Sequence, residues 1–252
     1  MNRVTKTILT GVVLGGTLLG AAGCTASASD AGSTSATPTR EPTRKPRIDE
    51  LITSSPTPTT PATAEALAQT VDAGVVAEGT SATASSDGPS NVSYSRQGEF
   101  AVVITLDCSQ CTGTATVTSP GRMSPLGEAT APMSGSYLRD VFVNDPVDQT
   151  LIVDATGPWS ITLSSWNDLP LVSGPQSGTG PAVLFFSDDV PKVAVDYSPA
   201  SPDDSFQGRV FTTSDDPQLF GDSAAFSEVF DADLPGVLSI QTNGTWTVTP
   251  TA

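Results

Sequence analysis

Histidine is absent from the 252-residue chain. Its absence excludes Ser-His-Asp and Cys-His nucleophile pairs and any His-ligated zinc or iron centre. Positive charge is scarce, with 11 Lys and Arg against 27 Asp and Glu, a formal net charge of −16. A surface of that sign repels phosphate backbones, so nucleic acid is not an expected partner. No apolar run reaches the about 20 residues that a membrane-spanning helix needs. The longest, Ile8 to Gly23, has sixteen residues, and five of them are Gly. Cysteine occurs three times, as Cys24 alone and as the pair Cys108 and Cys111. After Ser90 no helical periodicity of ten or more residues occurs, which removes the helical layers of an α/β domain.

What is present begins with Arg3 and Lys6, an apolar stretch broken by glycines, and the small residues Gly20 to Gly23. That layout predicts a cleaved secretory signal over 1–23. Ala22, Gly23 and Cys24 resemble the lipobox of bacterial lipoproteins, in which the cysteine sulfur is lipidated and cleavage falls just before it. The resemblance implies that Cys24 is the first mature residue and carries a palmitate-type lipid. It places the chain on the cell membrane, lipid-anchored and facing the extracellular side. An ordinary signal peptide with an incidental Cys24 is the competing reading.

From Thr25 to about Pro89 the chain is dominated by Ala, Ser, Thr and Pro. Such a composition buries too little apolar surface to offset chain entropy, so 24–89 is expected to be a disordered tether. Sixty-five flexible residues span roughly 45 Å root-mean-square. Arg40, Arg44, Lys45 and Arg47 cluster within it, and Ile48, Leu51 and Ile52 form an apolar spot. Leu67, Val71 and Val75 fall four apart, which suggests a fraying helix over Ala64 to Val76, weakened by Gly74.

From Ser90 the pattern changes to period two, with Val, Ile, Phe and Thr alternating between Gly, Pro and Asp turns. The region is duplicated. Leu151, Val153, Gly157, Trp159 and Ile161 match Leu238, Ile240, Gly244, Trp246 and Val248 at a constant offset of 87. Val141-Phe142 is matched to Val229-Phe230, and Ala101 to Ile104 is matched to Ala182 to Phe185. The fold expected is all-β, two tandem antiparallel β-sandwiches of jelly-roll or immunoglobulin-like type over 90–168 and 181–252, joined by a linker at 169–180. Read as three-residue hairpins, Ala155-Thr156-Gly157 and Thr242-Asn243-Gly244 put both tryptophans on the apolar face, with each glycine at positive φ. Trp159 and Trp246 are therefore expected in the cores. The repeats are similar to small β-sandwich modules of secreted actinobacterial lipoproteins that end in a Gly-x-Trp-x-Ile hairpin, a likeness that implies fold and compartment.

Candidate chemistry is sparse. Cys108-Ser109-Gln110-Cys111 has redox spacing but lies between two strands, whereas a thioredoxin-like pair sits where a strand meets a helix. A disulfide clamping a hairpin is expected, with Ser187 to Pro191 as the equivalent turn in the second repeat. Aspartate crowds the second repeat, and Asp203, Asp204, Asp215 and Asp216 are the calcium candidates, against a solvated acidic surface. Trp166 either plugs the joint between repeats or contacts a ligand. The function expected is a non-enzymatic binding or structural module without a cofactor, its partners the membrane and an unidentified surface protein or carbohydrate. The alternatives are an Asp-dependent enzyme or accessory acting on wall carbohydrate, and a calcium-dependent adhesive module.

Overall fold

The computed structural model describes residues 67, 69–140, 145–212 and 216–252. The signal segment, Cys24, nearly all of the tether, Val141-Phe142 and Asp215 lie outside these residues. The described chain falls within one compact unit, Pro58–Ala252. Among the described residues no helix is long and apolar enough to cross a membrane.

The structure is all-β. The first nine strands are β1 (Thr70–Ala77), β2 (Ala82–Asp87), β3 (Ser90–Gln97), β4 (Val102–Cys108), β5 (Thr112–Thr118), β6 (Gly127–Thr130), β7 (Met133–Arg139), β8 (Asp148–Thr156) and β9 (Pro158–Ser165). After a 3-10 turn at Trp166–Asp168 come β10 (Leu171–Val172), β11 (Gln176–Thr179), β12 (Ala182–Phe186), β13 (Lys192–Ser198), β14 (Phe206–Phe211), β15 (Gln218–Asp222), β16 (Phe226–Asp231), β17 (Gly236–Gln241) and β18 (Thr245–Thr251). The first nine build two sheets, ordered β1-β3-β8-β5-β6 and β2-β9-β4-β7. The second nine repeat that order as β10-β12-β17-β14-β15 and β11-β18-β13-β16. Among the described residues only β1 with β3 and β10 with β12 pair in parallel.

Each sandwich therefore starts earlier than the sequence suggests. Within the expected tether, 70–77 and 82–87 are strands, and β1 takes the place of the helix expected over Ala64 to Val76. A register shift between Asp72 and Gly74, with Gly74 at φ 95°, breaks the alternation of β1 and mimics helical spacing. In β2 the core-facing residues are only Ala82 and Ala84, too small to stand out. The expected linker 169–180 likewise supplies β10 and β11 to the second sandwich.

The strand order also corrects the alignment of the repeats. β4 occupies the place of β13, so Ala101 to Ile104 is not the counterpart of Ala182 to Phe185 on β12, whose equivalent is β3. The register pairs Ile104 with Leu163 and Val193 with Pro250, which makes Ile104 equivalent to Val193. Val229 and Phe230 on β16 are equivalent to Ser136 and Tyr137 on β7. The expected hairpins are corners instead, because β8 and β9, like β17 and β18, belong to different sheets. The apolar residues still share one side, since both sheets turn their inner faces to the same core. Leu151, Val153, Trp159 and Ile161 are buried in one core, and Leu238, Ile240, Trp246 and Val248 in the other.

Candidate functional site

The same lock closes both sandwiches. Trp159 Nε1 donates to Gly88 O at 2.8 Å, and Trp246 Nε1 donates to Gly180 O at 2.8 Å. Gly88 N donates to Gly157 O and Gly180 N to Gly244 O. Each buried indole thus satisfies its N–H on the entry to β3 or β12. Gly157 has the expected positive φ of 103°, but Gly244 does not. Gly244 is required by space: a Cβ there would stand 2.3 Å from Ser198 O and 2.7 Å from the Tyr197 ring.

Cys108 and Cys111 form a disulfide across the connection from β4 to β5. These strands lie in different sheets, so the bond holds a sheet-to-sheet crossing and not a hairpin. Both cysteines are buried, and Cys111 Sγ lies 3.3 Å from Pro158 O at the β8–β9 corner. Beside them Asp107 accepts from the Ser109 side chain and N–H, which hold its carboxyl below the ordinary value. The equivalent crossing is β13 to β14, residues 199–205, and not Ser187 to Pro191. There Asp204 does the tying. Its carboxylate accepts from Ala200 N at 3.0 Å, Ser205 N at 2.9 Å, Asn243 N at 3.0 Å and the Thr242 hydroxyl at 3.3 Å. Burial raises its pKa, but these N–H donors and the nearby Tyr197 phenol outweigh that and leave it below the usual carboxylate value.

Among the described residues the calcium candidates Asp203, Asp204 and Asp216 do not converge. Asp203 and Asp204 precede β14 and Asp216 follows it, separated by roughly 17–20 Å of strand. The carboxylate of Asp204 is taken up by the corner. Among the described residues no group of three or more His, Cys, Asp or Glu side chains is placed to hold a metal ion.

The two sandwiches meet face to face. Ala101, Val103 and Leu138 on the outer face of the first pack against Val183 and Val237 of the second. Trp166 is half-buried in this joint, edge-on to Phe211 with ring centroids 6.2 Å apart. Arg209 lies 4.7 Å over the Phe211 ring and 2.9 Å from the Asp140 carboxylate. Thr130 N donates to Asn243 Oδ1 at 2.7 Å, and Gln241 Nε2 donates to Leu126 O at 2.7 Å.

Beside the joint opens a cleft of about 560 Å3, lined by Thr130, Pro132, Met133 and Ser134 from one sandwich and Pro181, Ser201 and Asn243 from the other. A cavity of this size between domains is a usual place for a small-molecule site. Its lining carries no charge. Hydroxyls, an amide and apolar walls offer hydrogen bonds and contact area but no titratable group for proton transfer. Asn243, read from the sequence only as a loop residue, lines it, and none of the candidate ligand or metal residues does. The dipeptides Gly88-Pro89 and Gly180-Pro181, 92 residues apart, were the available signal for its wall at Gly180 and Pro181 and for the tryptophan lock.

No protein-family model matches the chain, and no curated protein matches its sequence. Among solved structures it is similar to the CUB1-EGF-CUB2 domains of rat MASP-1, at 9% identity and a TM-score of 0.22, covering 73% of this chain and 100% of that one. At that score the likeness carries nothing over to this chain.

Proposed function

We propose that the chain is a non-enzymatic binding module, held on the outer side of the cell membrane by lipid on Cys24, with the cleft between its sandwiches as the principal binding surface. The observation that carries the reading is the joint. Two sandwiches held by an apolar face, the Asn243–Thr130 bond and the Gln241–Leu126 bond fix both walls of the cleft, and pre-organised walls bind without an ordering cost. Ala22-Gly23-Cys24 and the polar run behind it support the anchor.

The test has two arms. Cys24→Ala is expected to move the protein from the membrane fraction to the medium; retention on the membrane overturns the anchor. The full chain is expected to retain a surface protein or wall carbohydrate that Met133→Asp and Ser201→Tyr both release. Capture that is indifferent to both substitutions overturns the cleft as the site.

A further inference from the structure

Asp204 ties the crossing from β13 to β14 to the β17–β18 corner, and both parts are walls of the cleft. Its side chain is buried on that crossing. Oδ2 accepts from Ala200 N at 3.0 Å, while Oδ1 accepts from Ser205 N at 2.9 Å and from Asn243 N at 3.0 Å. The Thr242 hydroxyl lies 3.3 Å from both oxygens and itself accepts from Gly244 N at 3.0 Å. Ala200, Ser201 and Asn243 line the cleft. One carboxylate therefore fixes two walls of the cleft against each other.

The path continues into the first sandwich. Asn243, whose main chain Asp204 holds, accepts from Thr130 N through its side-chain Oδ1 at 2.7 Å. Thr130 lines the cleft from the other sandwich. Two polar links, Asp204 and Asn243, thus join Ala200 to Thr130 across the joint. The corner is tightly set, since a Cβ on Gly244 would stand 3.0 Å from Asp204 Oδ2. The titratable group that faces the carboxylate from β13 is the Tyr197 phenol, and Asp203 is the other carboxylate on the crossing. β14 and the corner bring Ser205, Phe206, Thr242, Asn243 and Gly244, none of them charged. The equivalent tie of the first sandwich is covalent, and neither Cys108 nor Cys111 lines the cleft. The tie that can be undone by a proton is the one placed on the binding surface.

We propose that Asp204 is a positioning residue of the cleft, and that Asn243 carries its state to Thr130 in the first sandwich. The ionised carboxylate offers acceptors on both oxygens, which the crossing and the corner use together. A proton or an amide there turns a donor toward Ala200 N or Asn243 N, and one wall is released. Release at Asn243 frees its side chain from Thr130. The coupling is reciprocal, so a ligand seated against Ser201 and Asn243 favours the ionised form. Because the folded carboxyl titrates below its ordinary value, the walls stay set at neutral pH and loosen as the pH falls through the folded value. The inference rests on the binding-module reading and adds to it the group that holds the site in shape.

The test is hydrogen exchange on the full chain without ligand, read at the Thr130 amide and corrected for the intrinsic pH dependence of exchange. The Ser136 and Val183 amides, which bond across the joint at Pro181 O and Ser136 Oγ, are the references. Asp204→Asn is expected to lower Thr130 protection about tenfold, the effect of one hydrogen bond to a charged group, and to leave both references unchanged. Asn243→Ala is expected to lower it by itself and to abolish any further effect of Asp204→Asn. In the unsubstituted chain, acid is expected to reproduce the loss at Thr130, and in Asn243→Ala to have no effect there. That arm decides the matter even where Asp204→Asn does not fold. Thr130 protection indifferent to acid and to Asp204→Asn overturns the proposal. So does equal loss at Thr130, Ser136 and Val183, which marks a joint opening as a whole, or an Asp204 effect that survives in Asn243→Ala. Surface capture is expected to fall about tenfold in Asp204→Asn. Capture lost in Met133→Asp but unchanged in Asp204→Asn overturns the positioning role and leaves the cleft reading standing. Capture indifferent to Met133→Asp and Ser201→Tyr overturns the cleft reading, whatever the exchange at Thr130 shows.

Discussion

The two sandwiches share one strand order and differ in how the same weak point is secured. Where the chain crosses from one sheet to the other before β5 and β14, the first uses a covalent bond and the second a buried carboxylate. Both ties end on the corner that precedes the buried tryptophan. The outward faces differ in the same residue-by-residue way. Val103 and Leu138, buried in the joint, are equivalent to Lys192 and Asp231, which face solvent on the second sandwich. A face that is apolar in one copy and charged in the other fixes which sides meet. The lesson is that the tryptophan lock defines the module, while the crossing tie and the outer face are free to change chemistry.

The largest expected effect tests the shared element. Trp159→Ala and Trp246→Ala each remove a buried indole and its bond to Gly88 or Gly180, at about 3–5 kcal/mol. Denaturant melts are expected to show equal losses, and a mild effect at either position would break the equivalence of the two copies. Next comes the face. The pair V103K and L138D gives the first sandwich the face of the second and withdraws two buried side chains worth about 1.5–3 kcal/mol each. Calorimetry is expected to resolve one transition into two with both sandwiches folded; a single unchanged transition would show that the polar bonds alone hold the joint.

The two ties are expected to be similar in strength and opposite in sensitivity. Closing a loop this short contributes about 2 kcal/mol in the chain-entropy account, and removing Asp204 leaves buried N–H groups unsatisfied at about 1–3 kcal/mol. Because the folded carboxyl of Asp204 titrates below its ordinary value, its contribution is complete above about pH 4 and is lost as the pH falls through the folded value. Acid is thus expected to loosen the 242–244 corner and reductant the 155–158 corner, as read by local hydrogen exchange. Asp204→Asn is expected to remove the acid response of the second sandwich and leave the reductant response of the first. Acid loosening that persists in Asp204→Asn would sink the carboxylate tie.

Legibility followed side-chain size. The constant offset around Trp159 and Trp246 and the alternation in VVITL made two β modules visible. Large apolar residues at fixed spacing leave few other arrangements, so the core positions of the tryptophans could be read even though their hairpins are corners. β2 was hidden because Ala82 and Ala84 do its packing, and β1 because a bulge at Asp72 to Gly74 broke its period. The crossing ties were misaligned because Cys111 and Asp204 share neither spacing nor chemistry, only a place in the strand order. The cleft was not legible, since Pro132, Pro181 and Asn243 come from turns far apart in the chain and acquire meaning only when the sandwiches dock.

The smallest expected effect asks whether polar pairs add to the joint or only orient it. Arg209 and Asp140 are 2.9 Å apart, with 40% and 25% of their side chains exposed. Water screens such a pair, so the coupling energy from Arg209→Ala, Asp140→Ala and their combination is expected at about 0.2–1 kcal/mol. Arg209 also covers Phe211, and that contact adds about 0.5–1 kcal/mol that Asp140→Ala leaves in place. Arg209→Ala is therefore expected to exceed Asp140→Ala, and Arg209→Lys to keep the ion pair while losing part of the ring contact. Equal losses for the two single changes would assign the whole effect to the ion pair. The ring contact would then add nothing, and the joint would rest on the apolar contact between Val103, Leu138, Val183 and Val237, the Asn243 and Gln241 hydrogen bonds and the ion pair.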